Sequence, residues 1–217
     1  MAHSIKFTLL FLTSFLVSCS SSPEQESHGS CGLIYYGNYG QILLESYDSI
    51  KPEVRIKLEL HLEKYLGNSL KESIEFNEAY YTNYNELLYW ETSAKDYEWI
   101  VSTYDIFYRF KNQELELDNY CASISLDSVG NVINEISLPS PELNTNADHF
   151  ISLNELKKVA KSHDYPNDRY KFDYFDNRIV IKFSDIKQGE YWKELKVCAH
   201  TGEIITKGEV SGIVDWY

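Results

Sequence analysis

The sequence predicts an α+β fold of antiparallel sheets that are each packed by a helix, with two tandem helix-plus-sheet units as one arrangement that fits. Three observations predict it. The 18 Tyr, 10 Phe and 4 Trp residues are concentrated, with β-branched residues, in short segments, which is typical of antiparallel sheet. Gly, Asn, Asp and Pro bound those segments, which predicts turns between strands. Two longer segments instead carry residues that start and stop helices.

The first of these longer segments, from Ser49 to Asn68, carries two conflicting patterns. Ser49 and Pro52 resemble a helix start, most residues between are helix formers, and Gly67-Asn68 resembles a helix C-terminus. A strand period of two is also present. It is set by the alternation with charged or polar residues of Val54, Ile56, Leu58, Leu60 and Leu62. We predict a helix, with a strand as the alternative.

Strands are predicted next at Ser73 to Tyr81 and at Glu98 to Lys111. A hairpin follows, with a turn at Asp127 to Asn131 and a return strand after it. The residues expected to share one face of its first strand are Tyr120, Ala122, Ile124 and Leu126.

The segment from Ser140 to His149 breaks this pattern with proline and turn-forming residues, so we place a boundary there. A helix is predicted to follow it, because Ser152 and Glu155 form a capping box and Pro166 prevents much continuation. Its apolar stripe consists of Leu153, Leu156, Val159 and Ala160. Two hairpins complete the prediction, with turns at Asp176-Asn177 and Thr201-Gly202.

The N-terminus has the layout of a secretory signal peptide. Ile5 to Val17 is mostly apolar, carries one positive charge near its start at Lys6, and is shorter than the roughly 20 residues that span a bilayer. Residues 16–19, Leu-Val-Ser-Cys, resemble the lipobox of bacterial lipoproteins. That resemblance implies cleavage after Ser18 and a diacylglyceryl group on the Cys19 thiol. An ordinary cleaved leader with an incidental Cys19 is the alternative.

The residues after Cys19 are small and polar, and they include Pro23. They cannot bury a core, so we expect a flexible tether. The serine cluster resembles that of lipoproteins of Bacteroidetes-type bacteria. Ser20 after the cysteine, by resemblance to Gram-negative sorting, implies the outer membrane, and we expect its periplasmic face.

The formal net charge is −13 and the isoelectric point is near 4.9. Nucleic acid is therefore not expected as a partner, because phosphate binding requires clustered Lys and Arg. Docking on anionic lipid by charge is disfavoured for the same reason. Membrane attachment is expected to come from the acyl chains alone.

Besides Cys19, the chain contains Cys31, Cys121 and Cys198. An odd number in an exported protein predicts one disulfide and one free thiol. Cys121 and Cys198 each precede a hairpin turn and, by alternation, point away from the apolar face of their strand. We therefore predict a disulfide between Cys121 and Cys198 that links the two halves of the chain.

The stretch SLNELKKVAK, the strands after it and the closing ELKVCAHTGEIITKGE resemble the PepSY domain family, over roughly residues 150–207. In that family an aspartate, a small residue and Thr-Gly-Glu precede an apolar strand, and Cys198 stands here in the aspartate's place. SLDSVGNVINEI is a fainter version of the same hairpin. PepSY modules are exported or membrane-linked and are thought to bind or inhibit peptidases, so the resemblance implies binding.

The chain is thus divided into a signal peptide at 1–18, a tether at 19–31, an N-terminal α+β region at 32–140 and a PepSY-like region at 150–217. None of His61, His149, His163 and His200 lies in a recognisable nucleophile or metal motif. Asp164, Asp168, Asp173 and Asp176 lack the ligand order of an EF-hand. We predict no cofactor, no metal and no catalytic residue, and leave enzymatic activity open with binding favoured.

Aromatic residues offer one candidate binding surface. If they project from one sheet face, they form a stacking platform for a peptide or glycan, and core packing is the alternative. The residues are Tyr80, Tyr81, Tyr84, Trp90, Trp99 and Trp192. We predict a lipid-anchored envelope protein that binds a protein or peptide without catalysis. The alternative is an envelope lipoprotein that binds or hydrolyses glycan.

Overall fold

The α+β fold is confirmed by a computed structural model that describes residues 41–83, 102–186 and 191–211, with the backbone alone at 186, 191–192 and 209–211. The described chain forms two antiparallel sheets and two α-helices. Within those ranges, neither helix has the length and hydropathy that crossing a bilayer requires.

The first sheet has the order β1-β2-β3-β4-β5, so each strand pairs with the strand that precedes it along the chain. Its strands are β1 (Gln41–Leu44), β2 (Ile74–Thr82), β3 (Thr103–Asn112), β4 (Leu117–Asp127) and β5 (Val132–Asn134). The second sheet has the order β6-β7-β8-β9. Its strands are β6 (Tyr170–Phe175), β7 (Arg178–Ile186), β8 (Tyr191–Cys198) and β9 (Ile204–Ser211).

The ambiguous segment is a helix, α1 (Pro52–Glu72). Val54, Leu58 and Leu62 are four residues apart, are buried, and face the core. The other two residues of the alternating set, Ile56 and Leu60, are 62% and 64% exposed. The strand-like alternation therefore arises because apolar residues occupy both the core face and the solvent face of one helix.

The start of α1 differs from the prediction, and α1 extends beyond the predicted end. Ser49 belongs to a short 3-10 turn (Tyr47–Ser49), and Lys51 is the N-cap residue of α1 without a side-chain hydrogen bond. Gly67 has φ 69° and ψ 173°, which interrupts the helical geometry there, but the helix resumes and ends at Glu72. Gly67 therefore ends the first helical segment, as predicted, and a second segment of α1 follows this kink.

The predicted strands and hairpin of the first sheet are confirmed where the structure describes them. β2 and β3 cover the two predicted strands, of which residues 98–101 lie outside the described ranges. The β4–β5 turn is closed by the Asp127 carboxylate, which accepts hydrogen bonds from the backbone N–H of Val129 (3.0 Å) and Asn131 (2.8 Å). The four residues predicted to share a face of β4 are all buried.

The second helix, α2 (Leu153–Ser162), begins as predicted. The Ser152 hydroxyl oxygen accepts a hydrogen bond from the Glu155 N–H at 3.4 Å, which is the N-cap bond of the capping box, and the hydroxyl donates to the Glu155 carboxylate at 3.0 Å. His163 follows as the C-cap residue, ahead of Pro166. Within the predicted apolar stripe Leu153, Leu156 and Ala160 are buried, and Val159 is half-buried.

Both predicted hairpins of the second sheet are confirmed. Asp176 and Asn177 have φ values of 48° and 55°. Positive φ at both central residues matches a type I′ turn, whose twist suits a hairpin. At the β8–β9 turn, Gly202 supplies the positive φ of 72°.

The two sheets share one hydrophobic core, to which both helices contribute. The rings of Phe110 in β3 and Phe150 before α2 lie 6.0 Å apart. The Leu153 N–H donates to the carbonyl oxygen of Glu114 at 2.8 Å. The 32–140 and 150–217 regions therefore pack against each other through buried contacts.

Candidate functional site

A polar cleft of about 430 Å³ lies at one end of the second sheet, where the β6–β7 and β8–β9 turns meet the segment that joins the two regions. We call it the hairpin-tip cleft. Its lining residues are Leu143, Asn144, Asn146, Asp176, Asn177, Arg178, Cys198, His200, Thr201 and Glu203. Its volume falls within the usual range of small-ligand sites.

Asn177 holds one side of the cleft in place. Its side-chain oxygen accepts hydrogen bonds from the Ser140 N–H (3.0 Å) and the Tyr174 hydroxyl (3.1 Å), and its amide donates to the Ser140 carbonyl oxygen (3.2 Å). The Asn144 amide donates to the Asn177 carbonyl oxygen at 3.4 Å. The positive φ of Asn177 is one that asparagine tolerates, so the turn can present this side chain to the joining segment.

His200 fixes the other side of the hairpin-tip cleft through hydrogen bonds. The residue is 3% exposed. Nδ1 donates to the His149 carbonyl oxygen at 2.9 Å, and Nε2 accepts from the Ile179 N–H at 3.2 Å. Burial lowers the pKa of His200 below its ordinary value of 6.5. The ring is therefore neutral near pH 7, and both of its nitrogens bind main-chain groups.

Arg178 and Glu203 form an ion pair at the cleft. The guanidinium and the carboxylate lie 3.9 Å apart, and the side chains are 39% and 69% exposed. A pair at this distance and exposure is weak, so a ligand can compete for either group. With the Asp176 carboxylate and the amides of Asn144 and Asn146, the lining offers both donors and acceptors.

The predicted disulfide between Cys121 and Cys198 is wrong. Cys198 is a free thiol, 1% exposed, at the cleft end of β8. Cys121 lies on β4 of the other sheet, beside Tyr80 and Phe107, and is disulfide-bonded. Alternation along each strand places a residue on a face, but does not say that two faces on different sheets meet. Cys19 and Cys31 lie outside the described residues.

The predicted aromatic surface is not formed by the residues that can be placed. Tyr80 is 7% exposed and packs edge-to-face against Phe107, with ring centroids 6.0 Å apart. Tyr81 lies on the opposite face, against Tyr104 at 4.6 Å. Trp192 is described by its backbone alone. The remaining members, Tyr84, Trp90 and Trp99, lie outside the described residues.

The other polar residues singled out in the sequence are engaged elsewhere. His61 Nε2 lies 2.6 Å from the Glu135 carboxylate, and Lys182 Nζ lies 2.7 Å from the Asp173 carboxylate. No group of three His, Cys, Asp or Glu residues with metal-binding geometry occurs among the residues described. Asp164, Asp168, Asp173 and Asp176 do not form such a group.

Sequence reasoning missed the hairpin-tip cleft as a site, although it singled out Asp176, Cys198 and His200 separately. Leu143, Asn144 and Asn146 were assigned only to a boundary. One signal was present: Asn and Asp are frequent both in that segment and at the β6–β7 turn. Such residues make hydrogen bonds between neighbouring loops.

The fold and the cleft together define an α+β protein of two antiparallel sheets with a polar site at the hairpin tips. Comparison of the chain with protein-family models, with curated proteins and with solved structures finds no match in any of the three. The resemblance to PepSY domains therefore rests on the residues quoted above.

Proposed function

We propose that the protein is a lipid-anchored protein of the cell envelope that binds a peptide segment of another envelope protein in the hairpin-tip cleft, without catalysing a reaction. The observation that carries this proposal is the cleft itself. Its polar lining residues belong to the joining segment and the β6–β7 and β8–β9 turns. Hydrogen bonds of Asn177 and His200 connect these three stretches.

The chemistry of the lining suits a peptide. Main-chain amides need both donors and acceptors, which Asn144, Asn146 and Thr201 provide. Arg178 and Glu203 can each bind an oppositely charged side chain or chain terminus, because their mutual contact is weak. Binding also costs less ordering entropy where the walls are already fixed.

The same geometry disfavours a role for His200 in catalysis. A general base needs a ring nitrogen within reach of the proton that it removes. Both nitrogens of His200 already bind main-chain groups, so the ring positions the cleft walls.

The anchor is proposed from the sequence. Acyl chains on Cys19 would hold an acidic protein, whose full chain has net charge −13, at the outer membrane on its periplasmic face. Metabolic labelling with a fatty-acid analogue tests this in cells that make the full chain. We expect label on the wild type and none on Cys19→Ala. An unlabelled wild type, or a label that survives Cys19→Ala, contradicts the anchor.

Peptide capture tests the binding. The full chain is immobilised and exposed to a protease digest of envelope proteins, and retained peptides are identified by mass spectrometry. We expect Arg178→Glu to lose the peptides that the wild type retains. Arg109→Glu is the matched control, because Arg109 is exposed on β3 of the other sheet. Equal retention by all three proteins, or no retained peptide, contradicts the proposal.

One observation favours a second candidate, a glycan-binding or glycan-hydrolysing role. Two carboxylates, of Asp176 and Glu203, line the cleft, and glycosidases use carboxylate pairs. Among the described residues that line the cleft there is no Trp or Tyr, whereas a sugar platform commonly uses such rings. Soluble peptidoglycan fragments discriminate the two roles. Their binding or cleavage by the wild type, with loss in Glu203→Gln, would favour the glycan role.

A further inference from the structure

The outer edge of the second sheet is an exposed strand of unusual length for this protein. β9 has 8 residues, whereas the other outermost strands, β1, β5 and β6, have 4, 3 and 6. Among the described strands only β8 pairs with it. An antiparallel edge of this kind presents a row of backbone N–H and C=O groups to another strand. Short edges, covered edges and edge charges that meet no opposite charge are how proteins usually avoid such pairing.

The middle of β9 is open to solvent. Thr206, Lys207 and Gly208 are exposed, and a Cβ atom built on Gly208 has no atom within 4 Å. Glycine inside a strand weakens the strand, and it often marks a place where another backbone approaches closely. Nothing else in the described fold requires glycine there, because only Gly67, Gly130 and Gly202 have positive φ.

We propose that β9 pairs antiparallel with β9 of a second copy of this chain, about a two-fold axis at Gly208. The two four-stranded sheets would then form one continuous sheet of eight strands. Such an interface is self-complementary, because each contact occurs twice.

The charge order along β9 selects this register. With the axis at Gly208, Lys207 is opposite the partner's Glu209, and Glu209 is opposite the partner's Lys207. Moving the axis by one residue, to Lys207 or to Glu209, puts two like charges directly opposite each other. Opposite charges at directly paired positions stabilise an antiparallel ladder, and like charges destabilise it. The sequence Lys-Gly-Glu is therefore complementary to its own antiparallel copy.

Cysteine cross-linking in cells that make the full chain tests the register. In Gly208→Cys the two new residues face each other across the axis, with Cα atoms about 5 Å apart, which a disulfide bridges. Thr206→Cys is the matched control. Its two substituted residues are offset by four positions along the strands, so their Cα atoms lie about 14 Å apart, which is too far for a disulfide. We expect a covalent dimer on non-reducing gels for Gly208→Cys only. Its absence, or equal dimer in Thr206→Cys, overturns the proposal.

Charge exchange gives an independent test by native mass spectrometry of the full chain in detergent. Lys207→Glu and Glu209→Lys each create two like-charge pairs, so we expect each to raise the dimer Kd by about tenfold. The double variant restores opposite charges and should restore the dimer. Lys161→Glu, an exposed change on α2, is the control. A monomeric wild type, or a double variant as weak as the singles, overturns the proposal.

Discussion

Replacing His200 by phenylalanine should remove the hydrogen bonds of a cleft wall while keeping its volume. Phenylalanine fills a similar space and can still stack on Phe150, whose ring centroid lies 4.6 Å from that of His200. It cannot bond the Ile179 N–H or the His149 carbonyl oxygen. Each main-chain group left without a partner costs about 1–3 kcal/mol. We therefore expect His200→Phe to lower the free energy of unfolding at pH 7.5 by about 3 kcal/mol.

The same variant should change the pH dependence of stability. Burial holds the pKa of His200 below 6.5 in the folded protein, so the unfolded chain binds the proton first as pH falls. The contribution of the neutral ring is present above pH 6.5 and is lost as pH falls through the folded pKa. The slope for one proton is at most about 1.4 kcal/mol per pH unit. The difference in free energy of unfolding between wild type and His200→Phe should therefore become smaller below pH 6.5.

Urea unfolding of both proteins, followed by circular dichroism from pH 7.5 to 5.0, measures this. Carboxylates that titrate in both proteins cancel in the difference. His163→Phe is the matched control, because His163 caps α2 through its backbone N–H, which the substitution keeps. The free energy of unfolding of this variant should stay within about 0.5 kcal/mol of the wild-type value. A His200→Phe variant as stable as wild type would refute the role of the His200 hydrogen bonds. A difference in free energy of unfolding that does not change with pH would refute it too.

Three further predictions follow from the core, the α1 kink and the free thiol. Leu58→Ala, at a fully buried site, should lower the free energy of unfolding in urea titrations by about 2–5 kcal/mol. Ile56→Ala, at an exposed site, should lower it by less than about 0.5 kcal/mol. Similar losses for both variants would argue that the α1 segment is a strand. Gly67→Ala should lower the free energy of unfolding by about 1–3 kcal/mol in the same assay, because alanine is strained at the φ of 69° and ψ of 173° that Gly67 adopts. An unchanged urea midpoint would count against the kink. Cys198 should resist a maleimide reagent in the folded protein and react in urea; rapid labelling without urea would contradict its burial.

Features set by a few neighbouring residues were predictable from the sequence. The Ser152–Glu155 capping box and the Asp176-Asn177 turn depend on hydrogen bonds and φ values within four residues. The alternation in β4 depends only on strand geometry and one buried face. These signals placed both sheets' hairpins and the start of α2 correctly.

Features set by contacts distant along the chain were not predictable in the same way. The conflict in α1 could be resolved only by its packing, because Ile56 and Leu60 are apolar without being buried. Tyr80 and Tyr81 are adjacent in β2, so they point to opposite faces and cannot belong to one platform. Strand alternation alone should have separated them.

The cleft was hidden for a related reason. Its walls come from three stretches, and Asn177 lies 37 positions from Ser140 along the chain. The Asn and Asp residues of both stretches indicate side chains that bond loop backbone, but they do not indicate that Asn177 bonds Ser140. The same limitation explains Cys198, whose burial depends on what covers that end of β8 and not on the alternation of the strand.

Site-specific photo-crosslinking in cells tests most directly whether the cleft holds a peptide. A photoreactive residue at Leu143, which lines the cleft and is 72% exposed, is compared with one at Val129, which is 55% exposed at the β4–β5 turn. We expect an adduct with another envelope protein from position 143 alone, and its loss when Arg178→Glu is added. An adduct from position 129 alone, no adduct from 143, or one unaffected by Arg178→Glu would contradict it.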